Sequence, residues 1–231
     1  MIEEWLNRLL GRGNNTTDPR HNGSKNGSAN GLQKGRGAVA PAPFTRHSNG
    51  LEQFFGTIQD QQGLSLLDLS PASQTNIAFL TGLGHRVYSE DILSSLDRHF
   101  PDGDQTNPEA VQEFLDTTFN FRDYDFDGAL VWDTLQFLSP TLMPLVIDRL
   151  FRTLRPHSCL LAYFHSDEKA SEVPIYHYRI VGPKTLELAP RGWRKPAQPF
   201  NNRALERIFH RFQSVKFFLT RESLREVIVR R

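Results

Sequence analysis

The sequence has one cysteine in 231 residues, no long apolar run and almost no net charge. A single cysteine excludes an intramolecular disulfide framework and is typical of a reducing compartment. The longest strictly apolar stretches, such as residues 159–164, are far too short to span a membrane. Glu3 and Glu4 precede any apolar run, which does not fit a secretory signal. These absences predict a cytoplasmic protein without a transmembrane segment.

The balance of 27 basic and 26 acidic side chains excludes a strongly basic nucleic-acid coat and a strongly acidic tail protein. The charge is uneven, however. Residues 1–50 contain seven Lys or Arg, three Asp or Glu, and half of the 16 glycines. We therefore expect a disordered basic tail over residues 1–50 and a globular domain over residues 51–231. Because the basic residues of the tail are dispersed and lack interleaved aromatics, nucleic-acid binding is not favoured.

Within the tail, apolar side chains recur at helical spacing over residues 2–10 and predict a short amphipathic helix. Two interpretations stay open. The helix is either a docking peptide for a protein or a membrane surface, or a frayed end, because isolated helices this short are marginal in water.

The globular part alternates short apolar runs with helical patterns. Strands are predicted at residues 64–69, 85–89, 126–132 and 158–164. Helices are predicted after Ser70-Pro71, after Asp91, after Asn107-Pro108 and after Ser139-Pro140, where a capping side chain or proline marks the start. Residues 113–121 are the only candidates for a further strand between the second and the fourth.

Residues 170–200 are rich in proline and predict an insertion with a small hairpin. A helix capped by Asn201 or Asn202 follows, and two short runs at residues 215–219 and 225–229 are close enough to pair antiparallel. Strand-helix alternation predicts an α/β fold: a Rossmann-like three-layer sandwich with a mostly parallel sheet and a C-terminal antiparallel hairpin. Ligands of such sheets lie beyond the carboxyl ends of the strands.

This arrangement resembles class I S-adenosylmethionine-dependent methyltransferases. Residues 66–69 and 80–87 look like their first strand, first helix and second strand, and residues 126–133 with 154–164 look like their fourth and fifth strands. The runs at 217–219 and 225–231 look like their final hairpin. The resemblance implies an S-adenosylmethionine cofactor and an unknown methyl acceptor, and it names no catalytic residue.

The sequence departs from this family at the loop after the first strand. The family carries glycines at alternate positions there, which allow close approach of the backbone to the cofactor. Ser70, Ala72 and Gln74 stand at the matching positions here, and Pro71 removes a backbone donor.

The resemblance nevertheless implies eight cofactor-binding candidates, and several of them have a structural alternative. Asp91 is either a ribose ligand or the cap of the following helix, and Glu90 is its neighbouring alternative. Asp133 either faces the methyl-transfer pocket or is a solvated acid, and Trp132 either lines the cofactor site or belongs to the core. The eight are Asp68, Ser70, Pro71, Ala72, Asp91, Ile92, Trp132 and Asp133.

Two further patterns favour no site. The histidines at 157, 165 and 177 have no ligand-like spacing with Cys159, so no metal site is predicted. The Arg and His residues at 203–211 are typical of a solvated helix face. Three hypotheses remain: a cytoplasmic S-adenosylmethionine-dependent methyltransferase, a non-catalytic Rossmann-like binding or scaffold protein that has lost the cofactor loop, and a nucleic-acid modifier anchored by the basic tail.

Overall fold

A computed structural model describes residues 42–220 and 224–231 of the chain. The expected helix at residues 2–10 and most of the expected tail lie outside these described residues. No helix within the described residues is long and apolar enough to cross a membrane.

A six-stranded sheet forms the centre of the fold. Its strands, in spatial order, are β3 (Arg86–Ser89), β2 (Ser65–Asp68), β4 (Phe126–Trp132), β5 (Leu154–His165), β9 (Leu224–Arg230) and β8 (Ser214–Leu219). β2 runs parallel to β3 and β4, and β4 runs parallel to β5. β9 is antiparallel to both β5 and β8. The predicted α/β class, with a mostly parallel sheet and a C-terminal antiparallel hairpin, is confirmed.

Two apolar clusters cover the two faces of the sheet. The helices are Asn49–Ile58 (α1), Gln74–Gly82 (α2), Ile92–His99 (α3), Pro108–Thr118 (α4), Leu142–Thr153 (α5) and Asn202–Ile208 (α6), with a 3-10 turn at Thr134–Phe137. A second, small sheet contains Phe44–His47 (β1), Val173–Gly182 (β6) and Thr185–Arg194 (β7), in the order β1-β7-β6. One face of the main sheet packs against α3, α4, α5 and α6, and the other packs against α1, α2 and the small sheet.

The prediction of a strand within residues 113–121 is wrong, because most of this range belongs to helix α4. The side chain of Asn107 caps that helix by accepting from the backbone N–H of Glu109 and Ala110. Val111, Phe114 and Leu115 are buried at helical spacing. No described strand lies between β3 and β4 in sequence, so β3 is an edge of the sheet.

The folded unit begins before the expected boundary at residue 51. β1 pairs antiparallel with β7, and Ser48 caps α1 by accepting from the N–H of Leu51. Glu226 of β9 binds this region, because it accepts hydrogen bonds from Arg46, Ser48 and the backbone N–H of Gly50. The compact unit accordingly starts at Ala42. The composition of this segment could not indicate that Gly50 binds a residue 176 positions away in the sequence.

Two predicted helix starts are also corrected. The cap of α2 is Ser73 rather than Ser70, because the Ser70 hydroxyl is bound to Asp68 instead. α5 begins at Leu142, after Ser139-Pro140, although Ser139 Oγ still accepts from the N–H of Leu142. The insertion at 170–200 is more regular than expected, since β6 and β7 have ten residues each.

Candidate functional site

Asp68 lies at the carboxyl end of β2 and is fully buried. Its Oδ1 accepts from Trp132 Nε1 at 2.6 Å and from Ser70 Oγ at 2.7 Å, and its Oδ2 accepts from Asn76 Nδ2 at 3.2 Å. Burial raises the pKa of Asp68, and the three hydrogen bonds oppose that rise. Three donors within the protein therefore satisfy the Asp68 carboxylate, which was predicted to lie at the ligand-binding edge of the sheet.

Trp132, the last residue of β4, stands in a buried aromatic stack at the same edge. Its ring centroid lies 4.9 Å from that of Tyr178, with planes 12° apart, and Tyr178 stacks on Tyr163 at 5.3 Å. Trp132 also has a φ of 56°, a left-handed conformation that is uncommon for a bulky residue and costs on the order of 1–3 kcal/mol. The stack and the bond to Asp68 stabilise that conformation. Trp132 is a core residue, since only 1 % of it is exposed.

Asn76 of α2 attaches the β6–β7 hairpin to this edge. Its Oδ1 accepts from the backbone N–H of Ile180 at 2.8 Å, and its Nδ2 donates to the carbonyl of Tyr178 at 3.0 Å as well as to Asp68. Asn76 is fully buried. One amide side chain thus joins β2, α2 and β6.

Asp133 follows Trp132 and is not a solvated acid, because only 2 % of it is exposed. Burial raises its pKa to about 7, while the Tyr178 hydroxyl and Arg191 of the hairpin act in the opposite direction. Asp133 Oδ2 has no hydrogen-bond partner in the described part of the chain. A neutral carboxyl is therefore favoured at this position up to about pH 7.

Asp91 caps α3, as its structural alternative predicted. Its Oδ1 accepts from the N–H of Ser94 at 3.1 Å and its Oδ2 from Ser94 Oγ at 2.6 Å. Ile92, the first residue of the helix, is buried, and burial raises the pKa of half-buried Glu90.

Ser70, Pro71 and Ala72 form the connection from β2 to α2. Ser70 and Pro71 are half-buried and Ala72 is exposed. The connection does not supply a free hydroxyl, because Ser70 Oγ donates to Asp68. The loop is therefore tied to the sheet at its first residue and open to solvent at its third.

The structure brings together Asp68, Ser70 and Trp132 through direct hydrogen bonds, whereas Asp91 and Ile92 belong to the start of α3. Three residues of the edge were missed by sequence reasoning: Asn76, Tyr163 and Tyr178. Asn76 stands in a helix without a clear apolar face, and the two tyrosines read as ordinary members of strands. Their common location depends on pairings over about a hundred residues.

A separate cavity of about 230 Å³ lies at the end of β5 and is lined by residues that include Gln136, His165 and Lys195. Burial lowers the pKa of His165 to about 4, so its ring is neutral near pH 7. Gln136 Oε1 accepts from the N–H of His165, and its Nε2 has no partner among the described residues. No group of three or more His, Cys, Asp or Glu that could hold a metal occurs in residues 42–220 and 224–231.

No protein-family model and no curated protein matches the chain. Solved structures do. An S-adenosylmethionine-dependent methyltransferase from Methanosarcina mazei is 18 % identical with a TM-score of 0.42, over 74 % of this chain and 93 % of its own. A Burkholderia thailandensis 1,6-didemethyltoxoflavin-N1-methyltransferase is 12 % identical with a TM-score of 0.45, over 79 % and 76 %. An Archaeoglobus fulgidus methyltransferase is 12 % identical with a TM-score of 0.47, over 78 % and 91 %.

At these identities and TM-scores, the similarities assign no cofactor, reaction or site residue to this chain. The assignment of the fold rests on the topology of the chain itself. The segments that look like the family's first, second, fourth and fifth strands lie parallel in one sheet, and the final hairpin adds to it antiparallel. The chain therefore has the Rossmann-like α/β fold that its sequence predicted.

Proposed function

We propose that this protein is a non-catalytic member of the methyltransferase-like fold that acts as a binding or scaffold protein. The observation that supports this function is the bond from Trp132 to Asp68 within the buried stack at the carboxyl edge. In sheets of this type the carboxyl edge is where ligands bind. Here the protein's own aromatic and amide side chains fill that position.

The residues present do not fit S-adenosylmethionine in this conformation. All three donors around Asp68 are used within the protein, and both ends of the Asn76 amide bind the backbone of β6. The loop from Ser70 to Ala72 contains no glycine. A ligand would have to break these buried hydrogen bonds, each of which contributes about 0.5–1.5 kcal/mol, and leave polar groups unsatisfied at a further cost of about 1–3 kcal/mol each.

The second candidate is an S-adenosylmethionine-dependent methyltransferase with an unknown acceptor. One observation favours it: Glu90 and Asp91 lie half-buried at the end of β3, where the resembled family places its ribose-binding acid. This function requires the β6–β7 hairpin to leave α2. It would bring Asp68, Ser70, Pro71, Ala72, Asp91, Ile92, Trp132 and Asp133 into a cofactor site.

Calorimetric titration of the full chain with S-adenosylmethionine and S-adenosylhomocysteine tests the proposal. We expect no saturable heat at millimolar ligand for either compound. A matched pair of variants locates any binding that does occur, because Ala72 and Ala78 are both exposed. Ala72→Leu places bulk at the connection from β2 to α2, and Ala78→Leu places the same bulk on the outer face of α2.

Saturable binding by the native chain and by Ala78→Leu, but not by Ala72→Leu, would overturn the scaffold proposal and establish the cofactor site. Binding that all three chains share equally would place the ligand elsewhere and would leave the closed edge in place.

A further inference from the structure

β3 is a terminal strand of the main sheet, and its outer side carries no described strand. Tyr88 in its middle is 47 % exposed, although its ring contacts Phe126 edge-on at 5.4 Å. Exposed edge strands present a row of unpaired backbone groups to solvent and are templates for pairing with another chain. This edge exists because the expected third strand is a helix.

The backbone hydrogen bonds show which groups of β3 face outward. Arg86 donates to the carbonyl of Leu64 at 2.7 Å, and Glu90 donates to the carbonyl of Asp68 at 3.0 Å. Because alternate residues of a strand point their N–H and C=O groups to opposite sides, Val87 and Ser89 point away from β2. Within residues 42–220 and 224–231, no hydrogen bond reaches the backbone of either residue from that outer side.

The side chains of this edge carry a symmetric charge pattern. Arg86 and Tyr88 lie on one face of β3, and Glu90, the residue after its end, continues the alternation because its N–H still donates to the carbonyl of Asp68. A basic residue stands two positions before the exposed tyrosine and an acidic residue two positions after it. When such a strand is turned end to end about Tyr88, its basic end lies opposite its own acidic end.

We propose that two copies of this chain associate through their β3 edges, which pair antiparallel about a two-fold axis at Tyr88. Val87 of each copy then exchanges two backbone hydrogen bonds with Ser89 of the other, four bonds in all. Tyr88 faces Tyr88 at the axis, and Arg86 faces Glu90 of the second copy on both sides. The result is one continuous sheet through both molecules.

The charges select this register. Within β3, only Val87 and Ser89 point their backbone groups outward. Outward-pointing residues must pair with each other across an antiparallel interface, so the two-fold axis passes through residue 87, 88 or 89. A centre at 87 places Arg86 opposite Tyr88, and a centre at 89 places Arg86 opposite Ile92. Only the centre at 88 pairs opposite charges, and cross-strand pairs of opposite charge or of two aromatics stabilise antiparallel strands. The same self-complementarity identifies the occupant as a second copy, since isologous interfaces use one patch twice.

Disulfide trapping tests the register. Residues opposite each other at a non-hydrogen-bonded position have Cα atoms about 4.5 Å apart, which is within the range of a disulfide. The native Cys159 is buried and does not compete. We expect Tyr88→Cys to form a covalent dimer under mild oxidation at micromolar protein, at least about tenfold faster than Leu145→Cys, which replaces an exposed residue of α5. Equal rates for the two variants would overturn the proposal.

Charge exchange tests the same dimer without a cysteine. We expect sedimentation of the native chain to show a concentration-dependent dimer. Arg86→Glu and Glu90→Arg each place like charges opposite one another twice, so each should weaken dimerisation by about tenfold. The double exchange, Arg86→Glu with Glu90→Arg, should restore it. A native chain that stays monomeric up to millimolar concentration, or single variants that dimerise as the native chain does, would contradict the pairing.

Discussion

Trp132 Nε1 donates to Asp68 Oδ1 over 2.6 Å, and this bond joins the carboxyl ends of two neighbouring parallel strands. The ring of Tyr178 stacks on the face of the same indole. The acid and the aromatic residue at this edge thus contact each other, and the proposed closure of the edge rests on this contact together with the hydrogen bonds of Asn76 to the hairpin.

Trp132→Phe removes the donor while it keeps an aromatic ring in the stack. We expect a loss of about 1–3 kcal/mol in the free energy of unfolding, because the buried Asp68 carboxylate loses a partner. Trp193→Phe is the matched control, since Trp193 is 54 % exposed and should change stability by no more than about 0.5 kcal/mol. Chemical denaturation measures both, and similar losses for the two variants would show that the bond has no stabilising role.

Asp133 predicts a dependence of stability on pH. Its pKa rises from 3.8 to about 7 on folding, so the folded state holds its proton more tightly than the unfolded state does. The stabilisation is fully present below pH 3.8 and is lost as pH rises through about 7, by an amount on the order of 4 kcal/mol. Asp133→Asn cannot lose this proton. The native chain should therefore lose stability relative to Asp133→Asn between pH 5 and pH 8, and parallel pH profiles would refute the assignment.

Leu160→Asp should be far more damaging than Arg203→Ala. Leu160 is fully buried in β5, so an aspartate there is an unpaired charge in the core, which costs several kcal/mol. Arg203 is exposed on α6, and its loss should fall within about 0.5 kcal/mol. Melting temperatures measure the contrast. Equal values would mean that the core does not lie where β5 places it.

Two glycines of α1 should respond to alanine with opposite signs. A Cβ at Gly50 would lie 2.8 Å from Leu161 Cδ1 and 3.0 Å from Glu226 Oε2, so Gly50→Ala should destabilise the fold by about 1–3 kcal/mol. A Cβ at Gly56 meets no atom within 4 Å, so Gly56→Ala should gain up to about 1 kcal/mol from helix propensity. Thermal unfolding of both variants checks the signs, and a stabilising Gly50→Ala would contradict the close packing of α1 on β9.

Local patterns predicted the elements whose causes are local. The strand at 126–132 has the bounds expected, and Asn107, Asn201 and Asp91 cap helices as their positions indicated. The errors come from distant partners. Ser70 does not cap α2 because Asp68 binds its hydroxyl.

The same reasoning explains the boundary error and the missed site residues. Residues 44–50 resemble the tail in composition, yet they form hydrogen bonds with Glu226 and pair with β7. The eight candidate residues came from the family resemblance, which was carried by local stretches of sequence at and just after the strand ends. The hydrogen bonds of Asn76 hold the hairpin at this edge through Tyr178 and Ile180, and no spacing in the sequence reports a contact between residues 104 positions apart.

Hydrogen exchange at the amide of Ile180 tests most directly whether the edge is closed. That N–H donates to Asn76 Oδ1, where α2 contacts the β6–β7 hairpin. The amide can be followed by NMR on the native, isotope-labelled chain with and without millimolar S-adenosylmethionine. We predict that it exchanges as slowly as core amides of β5 and that the compound leaves its rate unchanged. Rapid exchange, or a rate that shifts with S-adenosylmethionine together with new protection at residues 70–72, would show that the edge opens to admit a cofactor.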